Sequence, residues 1–157
     1  MEKEFKIIRL RQAVSVVVFK GDEFLMVSGK DWPDGAWCFP QGGILKGETH
    51  FSAVLRELSE ELGTDKFRVL GKSRVEHKYL FPEELVGTKG CEGQYQTIWF
   101  AEFLGEFGEI KPNKEELMNQ SWFKEGDVIK SMMYEEQKET FKKVLEELDY
   151  FRKNKIF

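Results

Sequence analysis

The stretch Ala13 to Phe19, Ala-Val-Ser-Val-Val-Val-Phe, constrains this chain more than any other. β-Branched side chains are stiff and fit a pleated, extended backbone. A strand with one wet face alternates apolar and polar residues, and this run does not. It predicts an interior strand covered on both faces, which demands a layer of structure on each side of a sheet. Gly21-Asp22 then predicts a turn, and Phe24 to Val27 a second strand. Trp32 to Ala36 is loop by composition, and Trp37 to Pro40 is a short apolar stretch entering Gly42-Gly43.

Thr49 to Leu62 predicts the clearest helix, with Thr49 as N-cap and Gly63 where a C-terminal cap belongs. Phe51, Leu55, Leu58 and Leu62 recur at helical spacing and predict the core-facing stripe. Phe67 to Phe81 reads as one long or broken strand, Pro82 to Gly93 as a loop, and Tyr95 to Leu104 as a strand. Ser121 to Phe123 is a short strand. Tyr134 to Phe151 is a closing helix with Phe141, Val144, Leu145, Leu148 and Phe151 inward. This mixed order predicts a layered α/β domain. The length, 157 residues, suits one domain spanning 1–157.

Composition narrows the classes. With 41% hydrophobic and 33% charged residues the chain reads as soluble and globular. A net charge of −4 weighs against a sequence-blind nucleic-acid binder, which is ordinarily basic. It does not weigh against a small polyphosphate, because bound cations invert the local sign of a site. Cys38 and Cys91 form no CxxC pair, so no zinc knuckle is expected and both read as free thiols. Neither a signal peptide nor a membrane span is evident, and a cytoplasmic location is the expectation.

The chemistry gathers between Gly42 and Gly63. With Glu57 as origin, Glu60 falls at about 300° around the helix and Glu61 at about 40°, whereas the predicted stripe lies at about 100–160°. Three carboxylates therefore share one side, away from that stripe. Like charges so spaced repel. A hard cation such as Mg²⁺ or Mn²⁺ would reverse the sign, since it takes oxygen ligands and bridges carboxylates to phosphates. Arg56, one turn before Glu60, is placed to hold it. Gly42-Gly43 permits close backbone approach to a ligand. A phosphate-binding loop GxxxxGK[ST] fails here because Glu48 occupies the lysine position.

Taken together, Gly42, Glu48, Arg56, Glu57, Leu58, Glu60, Glu61 and Gly63 fall in register with G-x5-E-x7-R-E-U-x-E-E-x-G-U. Seven identities in register have odds on the order of one in a million at ordinary residue usage. The pattern resembles the signature of the Nudix hydrolases, with one departure, Thr64 at the last aliphatic position. That resemblance implies an α/β/α sandwich around a central mixed β-sheet and hydrolysis of a phosphoanhydride in a nucleotide-like substrate with Mg²⁺ or Mn²⁺. It implies metal ligands at Glu57, Glu60, Glu61 and the Gln41 carbonyl, with Arg56 and Glu48 orienting. Trp37 to Ile44 and Gly93-Gln94-Tyr95-Gln96 are similar to a subgroup holding RNA 5′-pyrophosphohydrolases and diadenosine tetraphosphate hydrolases. Through that likeness Glu116 is an added metal ligand, Tyr79 a face that stacks on a base, and Arg11 a phosphate contact, with Gly42 and Gly43 also expected to bind substrate. The base is Glu57 or Glu116. The implied partners are a nucleotide polyphosphate or an RNA 5′ end, with no membrane, and the oligomeric state is open. The alternatives are a MutT-type nucleoside triphosphate pyrophosphohydrolase and a non-catalytic module that only binds nucleotide or RNA.

Overall fold

A computed structural model describes residues 8–29, 35–83, 90–111 and 117–156. Among them, six strands form one sheet: β1 Leu10–Lys20, β2 Glu23–Gly29, β3 Gln41–Gly43, β4 Phe67–Leu80, β5 Gly93–Phe103 and β6 Leu117–Lys124. The order is β4-β5-β1-β2-β6, with β3 also on β1. β1 runs parallel to β5 over Leu10 to Phe19, and the other pairings are antiparallel, so the sheet is mixed. On its second side β1 is shared. Ala13 to Ser15 meet β3, and Phe19-Lys20 meet β2.

The interior strand is covered on both faces, as its composition demands. Val14, Val16 and Val18 pack with Leu25 and Val27 under α1 (His50–Leu62), which contributes Ala53, Val54, Leu58 and Leu62. Val17 and Phe19 pack on the opposite face with Phe24, Met26, Ile98 and Phe100. That face is covered by α2 (Glu125–Ser131) through Val128 and by α3 (Glu135–Lys153) through Phe141, Val144, Leu145 and Leu148. The result is the expected α/β/α sandwich. In the last turn of α3, Arg152 lies 4.2 Å from the Phe19 ring centroid and donates to the Gly21 carbonyl at 2.7 Å, fastening the helix to the β1–β2 turn. No described helix is long and apolar enough to cross a membrane.

Both caps of α1 are where the sequence puts them. The Thr49 hydroxyl accepts from Ser52 N–H at 3.1 Å, and Gly63 adopts φ 66° and donates to Ser59 O. The inward face of the helix differs from expectation. Phe51 and Leu55 are 48% and 47% exposed, whereas Glu57 and Glu61 are buried with Ala53, Val54, Leu58 and Leu62. The buried arc is turned by about 80° from the predicted one. Small Ala53 and Val54, which weigh little in a stripe defined by bulk, let the helix sit close to the sheet. That rotation turns Glu57 and Glu61 inward and sets Glu57 against Gly42 of β3. Phe51 instead meets Trp99 at 6.0 Å at the rim.

Three short elements went unread in the sequence, one of them a single 3-10 turn at Phe107–Glu109. β3 is three residues of poor strand propensity, and it forms because β1 offers it a partner. α2 is seven residues including Gly126, too short to display a period.

Candidate active site

Arg56 is the hub of the site. Its Nε and Nη2 donate to the two Glu48 oxygens at 2.7 and 2.9 Å, a bidentate pair. Nη2 also donates to Gly43 O at 2.8 Å, tying α1 to β3. Nη1 donates to Glu57 Oε1 at 2.7 Å and to Glu60 Oε2 at 3.2 Å. One guanidinium thus orients three carboxylates, Glu48 in the loop before α1 and Glu57 and Glu60 on the helix.

Glu48 is held from both sides, since Leu45 N–H donates to its Oε1 at 3.0 Å. The Arg56 bond, then the Leu45 amide, draws its carboxyl from the usual 4.5 down to about 2. Arg56 is raised in turn, chiefly by Glu48. A lowered carboxyl favours the folded state above pH 4.5, and that contribution disappears as pH falls through about 2. In thermal unfolding, the gap between wild type and Glu48→Gln should be full at pH 5 and close as pH approaches 2. A gap independent of pH would contradict the pairing.

Close packing explains both glycines. A Cβ on Gly42 would coincide with the Glu57 carboxylate, and one on Gly43 would strike the Arg11 guanidinium. The two side chains approach β3 from opposite faces of the sheet. Arg11 Nη1 also donates to Gln94 Oε1 at 3.4 Å, and Gln96 Nε2 donates to Gln41 Oε1. Gln94 and Gln96 are buried. Tyr79 lies opposite Gln94 in the β4–β5 register, its ring 5.1 Å from His77. Burial raises its hydroxyl to about 12. Beside Tyr79 a hollow of about 490 Å³ opens between β4 and α3, also lined by His77, Glu136, Glu139 and Thr140.

The fold therefore brings Gln41, Gly42, Gly43, Glu48, Arg56, Glu57 and Glu60 into one contact network. Arg11 joins it at Gly43, with Gln94 bridging towards Tyr79. Glu61 is buried one turn beyond Glu57. Glu60 differs from its neighbours, its side chain 59% exposed against 11% for Glu57. Glu116 lies outside the described residues. Cys38 is a buried free thiol, and Cys91 is half-buried. Burial, then the nearby Glu61 carboxylate, pushes the Cys38 thiol up.

Among the described residues, no three acidic, His or Cys side chains form a finished metal cage. The donor set nonetheless suits a hard cation. Mg²⁺ is typically held by one or two carboxylates, the remainder of its shell being water and substrate phosphate. Glu57 and Glu61 on one helix face, with the Gln41 carbonyl on the facing strand, supply only oxygen.

Sequence reading named Gln94 and Gln96 as part of a motif but gave them no partners; their placement at alternate positions of β5 aims both at one face. It missed His50, whose Nδ1 lies 2.9 Å from Thr97 Oγ1, an oxygen that also accepts from Trp99 Nε1 at 3.0 Å.

Comparison with known proteins agrees with this layout. A family model described as NUDIX domain matches residues 9–145. An RNA pyrophosphohydrolase of a Nitratiruptor species is 32% identical over the whole of both chains. Another, from Wolbachia pipientis subsp. Culex pipiens, is 30% identical over 99% of this chain and 96% of its own. Among solved structures, the E. coli dihydroneopterin triphosphate pyrophosphohydrolase superposes with a TM-score of 0.71 at 18% identity. It covers 88% of this chain and 97% of that one. A C. elegans Ap4A hydrolase binary complex gives 0.69 at 22% identity, covering 90% and 100%.

Proposed function

This chain belongs to the Nudix hydrolase family, and on that footing we propose that it cleaves a phosphoanhydride bond at the 5′ end of RNA or in a dinucleoside polyphosphate. It is a pyrophosphohydrolase of nucleotide substrates, and its family works with divalent cations. In this reading Glu57, Glu60, Glu61 and the Gln41 carbonyl hold Mg²⁺ or Mn²⁺, and Glu116 adds a further oxygen. The observation that carries it is the Arg56 hub, which keeps Glu57 against Gly42 and Glu60 within reach of the same guanidinium. A bound cation polarises phosphoryl oxygens and offsets the charge that develops on them.

The protein's own groups position the substrate. Arg11, steered by Gln94 against Gly43, meets a phosphate of the chain. The absence of side chains at Gly42 and Gly43 lets the polyphosphate approach the backbone. Tyr79 offers its ring to a base beside the hollow that it lines with His77. The RNA pyrophosphohydrolases matched over nearly the full chain support the RNA end as substrate. The Ap4A hydrolase superposition supports only a fold able to hold a dinucleotide.

The test is a panel of a triphosphorylated RNA oligonucleotide, diadenosine tetraphosphate and free nucleoside triphosphates. Each is incubated with Mg²⁺, with Mn²⁺ and with chelator, and products are resolved by mass. Metal-dependent turnover of the RNA end or the dinucleotide, faster than of the triphosphates, is expected. Preferred turnover of free triphosphates would move the protein to the MutT type. No turnover in any arm, with nucleotide still bound, would make it a binding module.

A further inference from the structure

Across β3, β1 and β5 the residues Gly42, Val14 and Thr97 stand in one row, by the two registers of β1. α1 lies over that row and touches it at both ends. Glu57 packs against Gly42, and His50 Nδ1 is hydrogen-bonded to Thr97 Oγ1 at 2.9 Å. The spacing fits. His50 and Glu57 are seven residues apart, two helical turns, hence within about 20° of one another around the helix and about 10.5 Å along it. Two inter-strand steps from Thr97 to Gly42 amount to about 9.5 Å. Between the two ends, Val14 and Val54 are fully buried in the same apolar layer, which resists separation of helix and sheet. Apolar contacts are non-directional. Arg56 ties the helix to Gly43 O at the β3 end, and the His50–Thr97 bond is a second directional tie at the far end, so the two together fix rotation and register.

Thr97 is itself oriented. It is 4% exposed, and its oxygen accepts from Trp99 Nε1, which can only donate. A second lone pair and the hydroxyl hydrogen remain for His50, so the bond forms with either tautomer of the ring.

We propose that His50 and Thr97 are positioning residues for the metal-binding carboxylates. Their hydrogen bond pins the first turn of α1 to β5, so that two turns later Glu57 lands on Gly42, with Glu61 following it inward. This rests on the metal-dependent hydrolysis proposed above and adds residues outside the family signature. The bond sets where the ligands stand and touches neither metal nor substrate.

The test measures Mn²⁺ affinity directly, from the loss of the free-ion electron paramagnetic resonance signal, alongside kcat and KM for diadenosine tetraphosphate. Thr97→Val keeps shape and removes the hydroxyl, Thr97→Ser restores it, and His50→Phe removes the partner at a half-buried position. Thr97→Val and His50→Phe should each weaken Mn²⁺ binding and lower kcat by about tenfold, the scale of losing an outer-shell partner, with KM little changed. Thr97→Ser should match wild type. Wild-type Mn²⁺ affinity in both Thr97→Val and His50→Phe would overturn the proposal, as would a Thr97→Ser protein as impaired as Thr97→Val. If Thr97→Val fails to fold, His50→Phe against wild type decides. A wild type that binds no Mn²⁺ would remove the metal reading and this one together. A wild type that binds and turns over while every variant equals it would remove this one alone.

Discussion

Glu61→Gln is expected to reduce kcat by roughly 10²-fold or more at saturating Mg²⁺, the scale of losing one preorganised electrostatic group. The substitution is nearly isosteric, so packing around the buried side chain is kept. Glu57 and Glu61 are an i,i+4 pair of like charges, which destabilises a helix slightly. Removing one charge should therefore leave the thermal midpoint of the metal-free protein unchanged or raised. A residue present only for structure would give the reverse, lower stability with activity retained. Glu60→Gln should lose activity as well, although its side chain stands in solvent. Full activity in both variants at saturating Mg²⁺ would end the assignment of metal ligands on α1.

Gly42→Ala is expected to lower kcat by roughly 10–10²-fold through a single methyl group. The new Cβ would occupy the volume of the Glu57 carboxylate. Gly42 has ordinary φ, so no backbone strain enters. Glu57 can swing aside because the clash involves the end of a flexible chain, so stability should fall by only about 1 kcal/mol, the low end of overpacking. The cost falls on chemistry instead, because misplacing a reacting group by about 1 Å can lose 10²-fold. Gly43→Ala is the paired control. Its methyl group meets Arg11 on the other face, so it should raise KM for the nucleotide more than it lowers kcat. Steady-state kinetics of the two variants side by side check both statements. Equal changes in KM and kcat for both would mean that Glu57 and Arg11 do not divide the work as placed here.

How much of this was legible in the linear chain depends on the distance over which each feature is determined. The caps of α1 are local, since Thr49 and Gly63 act on backbone groups within four residues, and both read correctly. The run from Ala13 to Phe19 carries its two-sided burial in its own composition. The residues from Gly42 to Gly63 carried the resemblance to the family through their identities held in register along a short stretch. The rotation of α1 was not legible. A stripe drawn through Phe51 and Leu55 follows hydrophobic bulk, but the helix is seated by what the sheet offers it: a glycine at 42, a hydroxyl at 97 and valines between. Gln94 and Gln96 looked like parts of a motif, and only the pairing of β5 with β1 and of β3 with β1 aims them at Arg11 and Gln41.

Sequence by itself determined the inventory: a strand that must be interior, a capped helix with three carboxylates, one arginine among them and two glycines before them. Tertiary structure decided which carboxylates are inward, which way Arg56 divides its hydrogens, and that Arg11 reaches the far side of the same glycine strand. The physical reason is that capping and periodicity are set by neighbours along the chain. Helix rotation and side-chain partnership are set by surfaces that meet only after strands distant in sequence have paired.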